Sequence, residues 1–276
     1  MTGVQGVPGG AWPEMTIDGQ VFYRVEGDIL LDPDEAELYR EALRAQEAQR
    51  EAARIMERSG FGEVISPEFG QQGGARLVGI VQNGKIVRWD PGTVLKYCVL
   101  RQTFPKDSWY RDVVENMRKA TDDWSATCGV QFEHVSSADE SDSLRPPEVT
   151  FPVRHIDAQG QFIAAAFFPN DPVSRRRIFI DPSYHSTGFD PVGVLRHELG
   201  HALGFRHEHI RSGAPALCPD ESASGTVDLT LYDPQSVMHY FCGGVGSLSL
   251  AISEQDRIGA QLVYGPPLST FHLLAA

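Results

Sequence analysis

The stretch RHELGHALGFRHEH, residues 196–209, constrains this chain more than any other part of it. It holds four of the nine histidines. Just ahead of it, Asp190 can cap a helix and Pro191 fits the first helical position. Val194, Leu195, Leu199, Ala202 and Leu203 give an apolar face, so a helix is predicted from Pro191 to about Phe205. His197 and His201 stand four residues apart and project from one side of it. Two imidazoles at that spacing can reach one tetrahedral metal ion, and zinc is the ion that suits them. Gly204 can adopt a left-handed conformation, end the helix and turn the chain back, which brings His207 round as a third ligand. Glu198 lies beside the first ligand, placed to take a proton from a water that attacks a peptide carbonyl. The pattern H-E-x-x-H-x-x-G-x-x-H is thus filled by His197, Glu198, His201, Gly204 and His207. A fourth position left open permits hydrolysis, whereas one closed by His209 or His239 would make the zinc purely structural.

The rest of the chain frames that helix. A formal charge of -13 argues against a nucleic-acid partner, since phosphate binding needs a basic surface. No run is long enough to span a bilayer, and the first residues lack the pattern of a signal peptide. Two regions are expected: residues 1–84, with a charged helix from about Asp34 to Arg58 and a hairpin turning at Asn83-Gly84, and residues 85–276. In the second, TVLKYCVL, VQFEHV, EVTFPVRHI, QFIAAAFFP and RRIFID read as strands. A helix with Val113, Met117, Ala120 and Trp124 on one face lies between the first two, and another falls near SEQDRIGAQLVYG. The loose alternation makes the class α+β or α/β. The four cysteines allow two disulfides or four buried thiols.

With these motifs in hand, the chain resembles the metzincin metalloproteases. SVMHY, Ser236 to Tyr240, matches the methionine turn of that clan, which makes Met238 the residue beneath the three imidazoles. Within the clan the details look like astacins. Glu208 directly follows the third histidine, ATCGVQFEHV resembles the T-C-x-x-F segment, and ISEQDRIGAQLVYG resembles the closing helix. The resemblance covers most of residues 89–265. It implies an α+β metzincin-like domain: a mixed, mostly parallel twisted sheet, a long active-site helix and a loop-rich C-terminal subdomain, preceded by a small helical pro-region. It also implies that Tyr240 supports the oxyanion as a mobile zinc ligand, and that the strand at Ala164, Ala165, Ala166 and Phe167 holds an extended substrate by backbone pairing.

VEGDILL, Val25 to Leu31, resembles the F-x-G-D motif of astacin propeptides, with valine in the first place. That makes Asp28 the carboxylate that binds zinc in a latent precursor. No cysteine precedes Cys98, so a cysteine switch is not available. The chain departs from astacins in having no cysteine near its end to pair with Cys128. Cys98 then becomes a candidate partner for Cys128, and Cys218 for Cys242. The stretch QFIAAAFFP with RRRIFIDPS has a matrixin look.

The expectation is a monomeric zinc endopeptidase acting on protein or peptide, latent until residues 1–84 are removed, and secreted by a route not visible in the sequence. Two alternatives stand beside it: a matrixin-like protease without the aspartate switch, and a catalytically silent zinc module that binds peptides.

Overall fold

The computed structural model describes residues 12–25, 27–41, 44, 48, 77–82, 84–90, 92–210 and 226–268. A five-stranded sheet organises the second region. Its strands are β6 (Val94–Val99), β7 (Gln131–His134), β8 (Phe151–His155), β9 (Ala164–Ala165) and β10 (Ile178–Ile180), in the order β7-β6-β8-β10-β9. All neighbours run parallel except β9, which is antiparallel to β10 and forms one edge. The expected mixed, mostly parallel sheet is therefore present. The stretch QFIAAAFFP yields only two strand residues, because Phe162 and Phe167 turn into separate apolar clusters on either side of β9.

Strand alternation divides the sheet into two faces. Leu95, Tyr97, Val99, Phe151, Val153, Ile178 and Ile180 point inward to the main core. Two helices close over that side: α2 (Asp107–Thr127) and α3 (Pro191–Ala202). As its sequence requires, α2 buries Val113, Met117, Ala120 and Trp124, and the Trp124 indole N–H donates to Arg196 O at 2.9 Å. Helix α4 (Glu254–Tyr264) starts at a capping box formed by Ser253 and Asp256.

The first region is not simply helical, which corrects the expectation. Strands β1 (Glu14–Ile17), β2 (Gln20–Val25) and β3 (Ile29–Leu31) form an antiparallel sheet. Its first turn is Asp18-Gly19, with φ of 52° and 75°, the pair of left-handed residues that a tight hairpin needs. A helix, α1, follows over residues 33–41. Its start is fixed by Asp32, which accepts from Glu35 N at 2.9 Å while Glu35 accepts from Asp32 N at 3.1 Å. Most of the charged stretch to Arg58 lies outside the described residues.

A small third sheet joins β4 (Val78–Gln82), β5 (Lys85–Ile86) and β11 (Thr226–Asp228). Gln82 pairs with Lys85, and Gly84 has left-handed backbone at φ 73°; the other half of the expected turn, Asn83, lies outside the described residues. Among the described residues no helix is long and apolar enough to cross a membrane.

Of the two alternatives left open for Cys98 and Cys128, a bridge or buried thiols, the structure shows the thiols. Both thiols are free and buried, and burial pushes each up to about 12. Cys98 belongs to a small cluster with Leu100 and Ala138, whereas its strand neighbours Tyr97 and Val99 share the main core with Cys128. The period of two thus puts the sulfurs on opposite sides of β6. The other candidate bridge has one end, Cys218, outside the described residues.

Candidate metal centre

Helix α3 begins as its sequence directs: Asp190 accepts from Val192 N at 3.1 Å, and Pro191 takes the first turn. It ends at Ala202, three residues short of the expected Phe205, because Gly204 has left-handed backbone at φ 93°. A Cβ there would lie 2.6 Å from Val87 O, so glycine is required by space as well as by torsion. The turn folds residues 205–207 back beside the helix, and the His207 ring centroid lies 4.7 Å from that of His201 and 5.2 Å from that of His197.

Two of the imidazoles are oriented by backbone. His197 Nδ1 lies 2.7 Å from Val237 O and His201 Nδ1 lies 2.8 Å from Phe205 O. A carbonyl only accepts, so each Nδ1 carries the proton and each Nε2 presents a lone pair. His201 Nε2 and His207 Nε2 face each other at 3.1 Å. The Asp28 carboxylate enters from the first region. Its Oδ1 lies 3.2 Å from His207 Nε2, and its Oδ2 lies 3.4 Å from His197 Nε2. All four ligand atoms fall within 4.8 Å of one another, and all four residues are buried.

Three ring nitrogens and a carboxylate thus converge on one point, and His197 and His201 offer lone pairs to a cation there. Buried His197 Nε2 and Asp28 Oδ1 have no hydrogen-bond partner. Such a cluster is costly unless a cation fills it. Three imidazole nitrogens and a carboxylate suit zinc in both ligand type and number. Burial raises the Asp28 carboxyl, and imidazoles carrying a second proton, His207 foremost, would hold it well below the usual carboxylate range in the absence of a cation. Burial likewise drives the His201 imidazole well below its usual value, with His207 adding to the effect.

Glu198, only 2% exposed, has one oxygen without a partner. Burial raises its carboxyl well above the ordinary range, and the nearby Asp28 adds to this. Met238 is fully buried against α3; a Cβ on Gly200 would sit 2.3 Å from its sulfur, so the helix and the methionine turn meet only because residue 200 is glycine. Glu208 accepts from Asp233 N at 2.9 Å, and its own N–H donates to Met238 O at 2.8 Å. Tyr240 packs its ring 4.3 Å from His207 by centroid. Its hydroxyl reaches the backbone of Gly27, where a Cβ would lie 2.4 Å from the oxygen.

Ala164 and Ala165 form the edge strand, and Ile29 pairs in parallel with Ala166. The Phe167 side chain points into the main core, 5.3 Å from the Phe151 ring centroid, so only its backbone is available to the cleft. A cavity of about 300 Å³ opens beside His197 and Glu198, walled by Phe162, Ile163, Phe189, Val194 and Leu250.

One residue of the site escaped the sequence reading. Buried Asp256 accepts from Ser236 Oγ at 2.6 Å and from Val237 N at 2.8 Å, while also closing the cap of α4. It fixes the turn whose carbonyl orients His197. Its place in an S-x-x-D helix start marked it as a cap; nothing local marked its second task.

Comparison with known proteins agrees with the histidine pattern. Residues 88–217 match the matrixin family. Matrix metalloproteinase-16 from Rattus norvegicus and from Homo sapiens are each 24% identical over 165 residues, covering 55% of this chain and 23% of the relative. The chain thus spans about a quarter of the length of the curated relatives it matches. Among solved structures, myroilysin is similar at a TM-score of 0.48 and 17% identity, over 67% of this chain and 97% of that one. A hatching-enzyme zinc protease from Oryzias latipes is similar at 0.43 and 16%, over 65% and 95%. The matrixin match falls on the stretch that carries the buried triad, a ligand set that suits zinc.

Proposed function

We propose that this chain is a zinc endopeptidase of metzincin type, made latent by an aspartate switch at Asp28. The observation that carries the reading is the meeting of three imidazole nitrogens and one carboxylate from a distant segment, beside a dry glutamate. Zinc held by His197, His201 and His207 would supply a Lewis acid that polarises a scissile carbonyl and makes water a better nucleophile. Glu198 takes the proton from the attacking water and passes it to the departing amine. The Tyr240 phenol donates a hydrogen bond to the oxyanion. The β9 edge holds the substrate as an added strand, and the cavity beside His197 takes an apolar side chain.

In the latent chain Asp28 stands among the three imidazoles, and β3 lies along the edge where substrate would pair. The scaffold is of the matrixin kind, while the latch, a carboxylate in place of a thiolate, follows the astacin resemblance. Removal of the first region opens the cleft.

Metal analysis of the full-length chain should give one zinc, and a chelator should abolish cleavage of a quenched peptide by the processed form. Glu198→Gln should keep the zinc and lose roughly a thousandfold or more in turnover. Zinc-loaded Glu198→Gln that still cleaves at the wild-type rate removes the mechanism. Asp28→Ala should raise the activity of the uncleaved chain at least about tenfold. Equal activity with and without Asp28 removes the switch and leaves a matrixin-like peptidase without it.

A further inference from the structure

The outer face of the catalytic sheet is unlike a core. Phe179 and Ala165 lie on it, joined by Phe162 and Ala158, and Met15, Ile17 and Phe22 of the first region pack onto them. Two arginines lie in the same layer. Arg154 on β8 is 4% exposed and grips Asp18 with both terminal nitrogens, at 2.6 and 3.0 Å. Its Nε is buried without a partner. Arg177 is 5% exposed, with its guanidinium 4.9 Å from the ring centroids of both Phe22 and Phe179. Burial and the nearby cations Arg145 and Arg154 push it down to about 10.

A face covered for good gains little from this choice. Arg154 gives up its water for a partner, Asp18, that stays about a third exposed, and apolar residues of the same size would match or better that arrangement. The arrangement makes sense for a face that is covered for part of the protein's life. Once bare, the arginines are hydrated and keep an otherwise apolar patch soluble. They also leave a receptor of defined chemistry: a fork for a carboxylate next to a slot for an aromatic ring. Ala165 connects this face to the cleft, because its side chain lies here while its backbone belongs to the β9 edge.

We infer that this face is an exosite, a docking surface for a segment of a protein substrate that presents a carboxylate and an aromatic ring side by side. The carboxylate pairs with Arg154, and the ring lies against Arg177 and Phe179. The Asp18–Phe22 hairpin is the occupant in the latent chain and the template for what replaces it. The inference rests on the reading that the first region leaves on activation.

The probe is a labelled peptide spanning residues 12–25, which stops short of Asp28 and so cannot reach the metal. The receptor is the full-length chain carrying Asp18→Ala and Phe22→Ala, whose own hairpin no longer holds the face and makes no new pair when Arg154 is changed. Fluorescence anisotropy should show binding, weaker by about tenfold for the peptide with Asp18→Lys, the size a charge-assisted pair gives. Adding Arg154→Glu to the receptor should reverse that preference, which also guards against a variant that merely fails to fold. The unaltered chain should bind neither peptide well, since its tethered hairpin competes at high effective concentration. Equal binding of the two peptides, no binding of either to the opened chain, or a preference unmoved by Arg154→Glu overturns the exosite. With Asp28→Ala added, a quenched substrate bearing the residue 12–25 extension should have a KM about five- to tenfold lower than one bearing its Asp18→Lys form, with kcat unchanged; equal KM values count against the exosite. Binding is read without turnover, so a chain that discriminates the peptides but cleaves nothing would sink the peptidase reading and leave this one.

Discussion

The two faces of the five-stranded sheet are built on different terms. Inward, Val153, Ile178 and Ile180 are fully buried against helices α2 and α3, with no charge among them. Outward, the same strands offer Phe179 beside Arg154, with Arg177 just ahead of β10, and the cover is a small sheet joined through ion pairs and rings. The inner face is a core in the ordinary sense, where apolar area is removed from water once and for good. The outer face is an interface within one chain. The contrast says where the proposed precursor would separate: stability resides on one side of the sheet, and the layer proposed to leave sits on the other.

The largest effect is expected on the inner side. Ile178→Ala should cost roughly 2–5 kcal/mol of global stability, read from the midpoint of denaturant unfolding. Zinc binding and activity should fail together with it. On the outer side Phe22→Ala removes a larger side chain but should move the global midpoint by only about 1–2 kcal/mol, because the cover can open locally before the core unfolds. Its clearer signature is faster hydrogen exchange over β1–β3 and higher activity of the uncleaved chain. If Phe22→Ala lowers the global midpoint as much as Ile178→Ala does, the two faces are one cooperative core and the contrast fails.

The same contrast explains what could be read in advance. The triad was legible because its instructions are local: a spacing of four on a helix, a glycine to turn the chain, a third histidine three residues on. The inner face was legible from runs such as TVLKYCVL and from the stripe Val113, Met117, Ala120 and Trp124. Asp256 was not, since its work on Ser236 and Val237 is done twenty residues away and only the tertiary fold reveals it. The first-region sheet was readable in part. Asp18-Gly19 between Met15-Thr16-Ile17 and Val21-Phe22 is a hairpin signal. Its strands are four, six and three residues long, and a hairpin this short is marginal without a surface to lie on. That surface is the outer face, which no local pattern announces. The choice between bridge and thiols stayed open for the related reason that strand period, not proximity in sequence, decides which side of β6 a sulfur occupies.

The smallest expected effect lies at the far end of the removable layer and tests whether its hold responds to pH. Arg175, from the segment before β10, pairs with both Asp32 and Glu35 at the start of α1. Burial lifts the Glu35 carboxyl to about 7 from 4.5, helped by Asp171, against the Asp32 N–H and Arg175. A group whose affinity for protons is higher in the attached state strengthens attachment where it is protonated. Its contribution is therefore complete below about 4.5 and is lost as pH rises through about 7. After correction for the base-catalysed pH dependence of amide exchange itself, the zinc-loaded chain should show protection over residues 29–41 that is roughly two- to fivefold higher at pH 5 than at pH 8, because a partly exposed pair is screened by solvent. Glu35→Gln should flatten that dependence. Since Asp28 and the imidazoles are the same in both chains, the difference between them isolates Glu35. An unchanged pH profile in Glu35→Gln would mean that the outer layer is held by Asp18, Phe22 and Asp28 alone, with α1 a passenger.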